Sequence, residues 1–154
     1  MTLVRQQAHS WAAGEGRPLL LIDGPPGIGC PVIAAITGVD LAVIVAEPSA
    51  AGIHDLARAL QTTRHFGIPA LVCLNKAGLY PEGEAEIADF CDGNDVRLIA
   101  HVPFDAAVIE AMVQGKPVTA SDPEGPVSRA LRPAWGAVRD ALDRRDRRRL
   151  VVIG

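Results

Sequence analysis

Separate stretches of this chain combine residue types that could do chemistry. The first is PLLLIDGPPGIGCP, residues 18–31. Apolar residues run straight into Asp23, and a Gly/Pro turn follows, with Cys30 near its end. An acid at the end of a buried strand, opening into glycines, is a common way to hold Mg²⁺ and a phosphate. The carboxylate supplies charge, and a glycine such as Gly27 lets a backbone N–H approach an anion with no side chain in the way. Taken alone, DGPPG is equally an ordinary strand-to-helix loop, and a lone cysteine is more often a small packed thiol. The second stretch is LNKAG, residues 74–78. The Asn75 amide offers both a donor and an acceptor to a base edge, although NK after a strand is more often only a turn. The third is HVPFD, residues 101–105, where Asp105 is placed to cap a helix. The histidines His9, His54, His65 and His101 are too dispersed to form a metal site, and Cys30, Cys73 and Cys91 form no CxxC pair.

The elements that position these stretches follow from periodicity. Apolar runs predict strands at 19–23, 41–46, 70–74 and 97–102. Between them lie predicted helices at 31–37, 49–66 and 82–91, and a further one from Asp105 to Val113. Ser49 is placed as an N-cap and Gly67 as a stop. ASDPEGPV, residues 120–127, reads as a loop. Val127, Ala130, Leu131, Ala134, Trp135, Val138, Ala141 and Leu142 make one face of a last long helix, with Pro133 placed to kink it. At the start of the chain, Val4, Ala8, Trp11 and Ala12 share one side of a short amphipathic helix. Strands that are continuous apolar runs, alternating with helices, predict an α/β fold: a mostly parallel sheet flanked by helices. Ligands of such sheets sit at the carboxyl ends of the strands, which is where the chemically interesting stretches fall.

Composition narrows the class. The chain has 154 residues, is 49% hydrophobic and only 4% aromatic, so one domain with an aliphatic core is expected. A net charge of −3 gives no global basic field for nucleic acid. Residues 144–149 gather arginines, but Asp140, Asp143 and Asp146 interrupt the cluster, so membrane binding is not expected. Scattered cysteines fit a reducing, cytoplasmic setting.

Taken together, IDGPPGIGCP, LNKAG, HVPFD and EAMVQGKPV, in that order and spacing, resemble the second half of a P-loop ATPase of the MinD/ParA group. The nearest subgroup is the MinD-like ATPases with an inserted ferredoxin domain. The resemblance covers residues 4–142 and implies a partial SIMIBI-type fold, with residues 1–145 as the C-terminal half of a nucleotide-binding domain. Residues 146–154 would be a basic linker and a short apolar strand or tail. It implies ATP and Mg²⁺ as cofactors. Asp23 would be the switch II aspartate that holds a water on Mg²⁺, and Gly27 the amide at the γ-phosphate. Asn75 would contact adenine, and Val102, Pro103, Phe104 and Asp105 would wall it. Cys30 lies seven positions after Asp23, the offset of a cluster-ligating cysteine in the nitrogenase iron protein, a distant relative of the same fold. That offset implies a [4Fe–4S] cluster shared between two subunits.

The departures from the family are large. No GKGGxGK-like or GxxxxGK[ST] string exists in the chain, so the phosphate loop and the switch I aspartate lie in a half that is missing here. Where the family often has an acid soon after NK, this chain has Ala77 and Gly78. The chain is therefore expected to be a split or truncated product. Its full-length parent would be the ATPase, serving iron–sulfur or metal cluster handling or redox coupling. Its partners would be a second copy or the missing N-terminal half, with a metalloprotein or redox client. Alternative readings are a non-catalytic α/β remnant that binds a partner, and the nucleotide-binding part of a cobyrinic acid a,c-diamide synthase-like amidoligase. LVVI, residues 150–153, is the expected filler, in its own chain or a neighbour's, of the sheet slot that a missing strand would leave open.

Overall fold

The computed structural model describes residues 2–25, 29–144 and 149–153. In chain order the elements are α1 (Thr2–Gly14), β1 (Leu20–Asp23), α2 (Cys30–Ile36), β2 (Leu41–Ala46), α3 (Ala50–His65) and β3 (Ala70–Ala77). They continue with α4 (Pro81–Gly93), β4 (Arg97–Pro103), α5 (Ala106–Val113), α6 (Val118–Ser121), α7 (Pro126–Asp143) and β5 (Arg149–Ile153). The strands form one sheet in the order β1-β5-β2-β3-β4, and every neighbouring pair is parallel. The fold class is the one the apolar runs and intervening helices imply.

Alternation along β2 shows how the layers are built. Leu41 and Val43 point to one face, where Val127, Ala134, Val138 and Leu142 of α7 cover them. Ile44 and Ala46 point to the other, against Leu56 and Leu60 of α3 and Ile87 and Cys91 of α4. Ala42 shares that second face with Val151 and Ile153 of β5, under Val32, Ala35 and Ile36 of α2. A strand buried on both faces has no room for polar residues, which is why LAVIVA contains none.

The helix ends are set by local chemistry. The Ser49 hydroxyl accepts from the Gly52 N–H at 3.1 Å and opens α3, a cap that contributes about 1 kcal/mol. Gly67, at φ +64°, turns the chain out of that helix. The Asp105 carboxylate accepts from the Ala107 N–H at 2.8 Å and opens α5. The α7 helix runs through Pro133 from Pro126 to Asp143 as one element.

β5 lies between β1 and β2, pairing Leu21 with Leu150 on one side and Ala42 with Val151 on the other. The chain thus fills the slot with its own apolar run. Gly24, just past β1, donates its N–H to the Val152 carbonyl at 2.8 Å. A Cβ at Gly24 would sit 2.5 Å from that same oxygen, so the two backbones meet only because position 24 has no side chain.

Three sequence expectations need correction. α1 packs less than its pattern suggests: Val4 is 67% and Trp11 73% exposed, while Ala8 and Ala12 are half-buried. The helix lies at the β1 edge of the sheet, where little surface is available to cover it. β3 does not stop at Leu74 but continues to Ala77. The segment 120–127 is not all loop, since its first residues finish the single turn of α6.

Candidate functional site

Because all strands are parallel, their carboxyl ends share one edge of the sheet, and that edge carries the polar residues. In spatial order it presents Asp23 of β1, Ile153 of β5, Glu47 after β2, Asn75 to Ala77 of β3, and Pro103 to Asp105 after β4. Asp23 and Asn75 are three strand spacings apart, about 14 Å at the usual inter-strand distance. Between them a cleft of about 400 Å³ opens against α3, lined in part by Glu47, Ser49, Asp55, Asn75 and Ile153.

Asp23 is exposed at the very end of β1. Gly27 lies outside the described residues. Cys30 is the exposed first residue of α2. Cys73 and Cys91 are buried. Burial pushes the Cys73 thiol pKa up. It does the same for Cys91, with a smaller contribution from the Asp92 charge. Neither is available as a ligand.

Asn75 and the VPFD stretch are brought side by side. β3 and β4 pair as Leu74 with His101, and as Ala77 with Pro103. The register slips between these pairs, so Asn75 and Lys76 form an irregular step at the strand end. Lys76 there takes a left-handed conformation, φ +58°, which costs a non-glycine residue about 1 kcal/mol or more. Its ammonium reaches the Glu47 carboxylate at 2.7 Å. Both side chains are nearly half exposed, so that pair contributes little energy, but it fixes where Lys76 points. Ala77 accepts from the Phe104 N–H at 2.9 Å and stitches the two loops together. Val102 is buried in the α7 face of the core, so only its backbone can line a ligand site. Phe104 is 52% exposed, and Asp105 is committed to its capping bond.

Sequence reasoning places Glu47 and Lys76 at strand ends but gives them no role, and it does not bring Glu84 to this edge. The position of Glu47, immediately past a strand in a parallel sheet, was a usable signal. The Glu84 carboxylate accepts from the Gly78 N–H at 2.6 Å and lies 3.8 Å from the His101 imidazole. That convergence of α4, β3 and β4 is tertiary, and no spacing announces it.

The donor set can be tested against the groups that the resemblance implies. Among the described residues, no group of three or more His, Cys, Asp and Glu is gathered to hold a metal ion. Mg²⁺, however, keeps several waters and needs only one or two carboxylates beside phosphate, and exposed Asp23 fits that role. A [4Fe–4S] cluster needs four thiolates, and among the described residues each chain presents one exposed thiol. A resident cluster therefore does not fit this chain. Among the described residues, no helix is long and apolar enough to cross a membrane.

No protein-family model matches the chain. Curated relatives do. An uncharacterized protein of Methanocaldococcus jannaschii, MJ0578, is 41% identical over 76 residues, 49% of this chain and 26% of that one. An iron-sulfur cluster carrier protein of Aquifex aeolicus is 28% identical over 73% of this chain and 34% of its own length. An uncharacterized ATP-binding protein of M. jannaschii, MJ0547, is 26% identical over 73% of this chain and 43% of its own length. The chain thus spans less than half the length of each of these relatives. Among solved structures, the cell division ATPase MinD of Pyrococcus furiosus superposes with a TM-score of 0.63 at 21% identity. The match covers 76% of this chain and 49% of that one. MinD of Pyrococcus horikoshii, solved with Mg-ADP, gives 0.63 at 23% identity over 75% and 47%. The chain therefore has the fold of the MinD ATPases over about half their length, and it is similar in sequence to an ATP-binding protein and an iron–sulfur cluster carrier.

Proposed function

We propose that this chain supplies the switch II and adenine-binding half of a MinD-like ATP-binding protein. The observation that carries the reading is the shared carboxyl edge. Asp23 stands at one end of it, and Asn75, packed beside Val102–Asp105, stands three strands away. That separation suits a nucleoside triphosphate laid along the edge, base at β3 and β4, terminal phosphate at β1. Asn75 would read the base with its amide. The backbone of Val102 and Pro103, with Phe104, would wall it. Asp23 would hold a hydrated Mg²⁺ through water, and the Gly27 amide would meet the γ-phosphate. Mg²⁺, when bound, supplies charge neutralisation of the phosphates. The chain lacks a glycine-rich phosphate loop, which normally provides the N–H cradle and a lysine. A loop delivered after a strand in the β5 slot would lie between Asp23 and Glu47, where those phosphates would sit. In the full-length parent, or with a polypeptide that supplies that half, the reaction would be ATP hydrolysis.

The test is an amide-resolved NMR titration of the chain with ATP and Mg²⁺. Shifts are expected at the amides of Asn75, Val102, Phe104 and Asp105, with a midpoint in the millimolar range, about −4 kcal/mol of binding, and no phosphate release. GTP should shift the same amides less. No shift at these positions would overturn the reading. So would micromolar binding with turnover by the chain itself, which would place a phosphate cradle within these residues.

A second reading concerns cargo. Cys30 is exposed, and one relative is an iron-sulfur cluster carrier. Two copies would offer two Cys30 thiolates to a transient cluster, with a client or small thiol completing its ligands. Anaerobic reconstitution with iron, sulfide and glutathione should give cluster absorbance that Cys30→Ala abolishes and that Cys73→Ala and Cys91→Ala retain. Equal absorbance in Cys30→Ala would return that residue to a plain surface thiol.

A further inference from the structure

The loop after β3 has no carboxylate of its own, yet a carboxylate holds it. We propose that Glu84, in the first turn of α4, is the positioning residue of the base site, clamping the end of β3, Asn75–Gly78, against the Val102–Asp105 wall. This deepens the nucleotide reading above and rests on it.

The geometry is specific. One Glu84 oxygen accepts from the Gly78 N–H at 2.6 Å. The other lies 3.8 Å from Nδ1 of His101, the residue just before Val102. A single carboxylate therefore bonds the turn after β3 and lies beside the strand that leads into the Val102–Asp105 wall. Its side chain is 20% exposed, whereas His101 is 52%, so the acid is the sheltered member. Gly78, at φ +93°, adopts a backbone that side chains resist, and this turn delivers its N–H to the helix. The β3–β4 ladder slips between Leu74 and Ala77, so regular pairing does not hold Asn75 in place. What holds the step is a set of ties on either side: Lys76 to Glu47, Ala77 to Phe104, and Gly78 to Glu84. The Glu47 pair is near half exposed on both sides and screened by solvent. Glu84 makes the sheltered, charged tie. Its place in the first turn of α4 also suits the helix dipole, so the acid costs little where it stands.

The test uses the full chain and three variants. Glu84→Ala removes the clamp. Glu84→Asp keeps the charge and the helix-dipole contribution but cannot reach Gly78. Glu84→Gln keeps the reach and an acceptor oxygen. Amide hydrogen exchange at Gly78 should accelerate roughly ten-fold or more in the Ala and Asp variants, and should stay near wild type in the Gln variant. The ATP midpoint read at Asn75 should rise in the same order, roughly ten-fold for Asp, with the preference for ATP over GTP reduced. Gln should restore both to within about two-fold. Circular dichroism matching wild type for Asp shows that folding is not the cause. If wild type responds to ATP and Glu84→Asp responds with the same midpoint, the Glu84 role fails and the nucleotide reading stands. Unchanged Gly78 exchange in Glu84→Asp overturns the clamp directly. If wild type gives no ATP shift at Asn75, the nucleotide reading itself fails, and the base-positioning role with it.

Discussion

The three cysteines show how environment sorts chemically identical side chains. Cys30 is exposed at the start of α2, while Cys73 and Cys91 lie in opposite faces of the core. The thiolate is the reactive form, and burial raises the pKa of both core thiols, assisted at Cys91 by the neighbouring Asp92. Both therefore carry less thiolate at neutral pH, besides being shielded from reagents. Folded protein treated with a thiol-reactive disulfide near pH 7.5 should label quickly at Cys30, and at the other two only after denaturation. The pH dependence has a definite sign. A group that holds its proton more tightly when folded stabilises the fold below its unfolded pKa, about 8.5 for a thiol. That contribution is lost as pH rises through the higher folded pKa. Denaturant midpoints should therefore fall with rising pH above about 8.5, and less steeply in Cys73→Ala than in wild type. A midpoint flat to pH 10 would show that neither thiol is held protonated by the core.

At the level of elements, β5 decides how the sheet closes. It touches β1 and β2 through parallel ladders and receives the Gly24 N–H at Val152. A methyl at position 24 must displace the Val152 carbonyl, which it would approach to 2.5 Å. Forcing backbone apart in this way costs about 1–3 kcal/mol. Gly24→Ala should lower stability by that amount, read as a shift in denaturant midpoint with an unchanged slope. The loss should be local: amides of β1 and β5 should exchange faster, while those of β2 and β3 keep their protection. Uniform loss across all strands would mean that the sheet opens as one unit. An unchanged midpoint would mean that the β1 turn moves freely.

For the whole molecule, the sequence made the layered α/β architecture legible because apolar runs and helical stripes are local signals. LAVIVA and ALVCL could be nothing but buried strands in this context, and Ser49 and Asp105 marked their helices. The site was only partly legible. Asn75 and VPFD lie side by side at the ends of β3 and β4. Glu47, Lys76 and Glu84 were given no role because their meaning lies in side-chain contacts between separate elements. α1 is the helix its pattern implies, but Val4 and Trp11 on its apolar side stay exposed at the edge of the sheet. Local signals placed the elements, and what depended on which strand neighbours which came only from the assembled sheet.

The place of β5 also sets the order of events when the chain is made. β1 leaves the ribosome well before β5, its ladder partner far along the chain. Until Arg149–Ile153 emerges, β1 has no strand beside it, and α2 has no Val151 or Ile153 to pack on. The β2–β3–β4 layers, with α3, α4 and α7, can assemble from contiguous chain before that moment. Synthesis would thus pass through a stage in which β1 waits, unpaired, for Arg149–Ile153. Contacts this distant in sequence are slow to form, and exposed strands are prone to the wrong pairings while they wait. Whatever delivers a competing strand to that open slot, before or in place of β5, would capture the nascent chain.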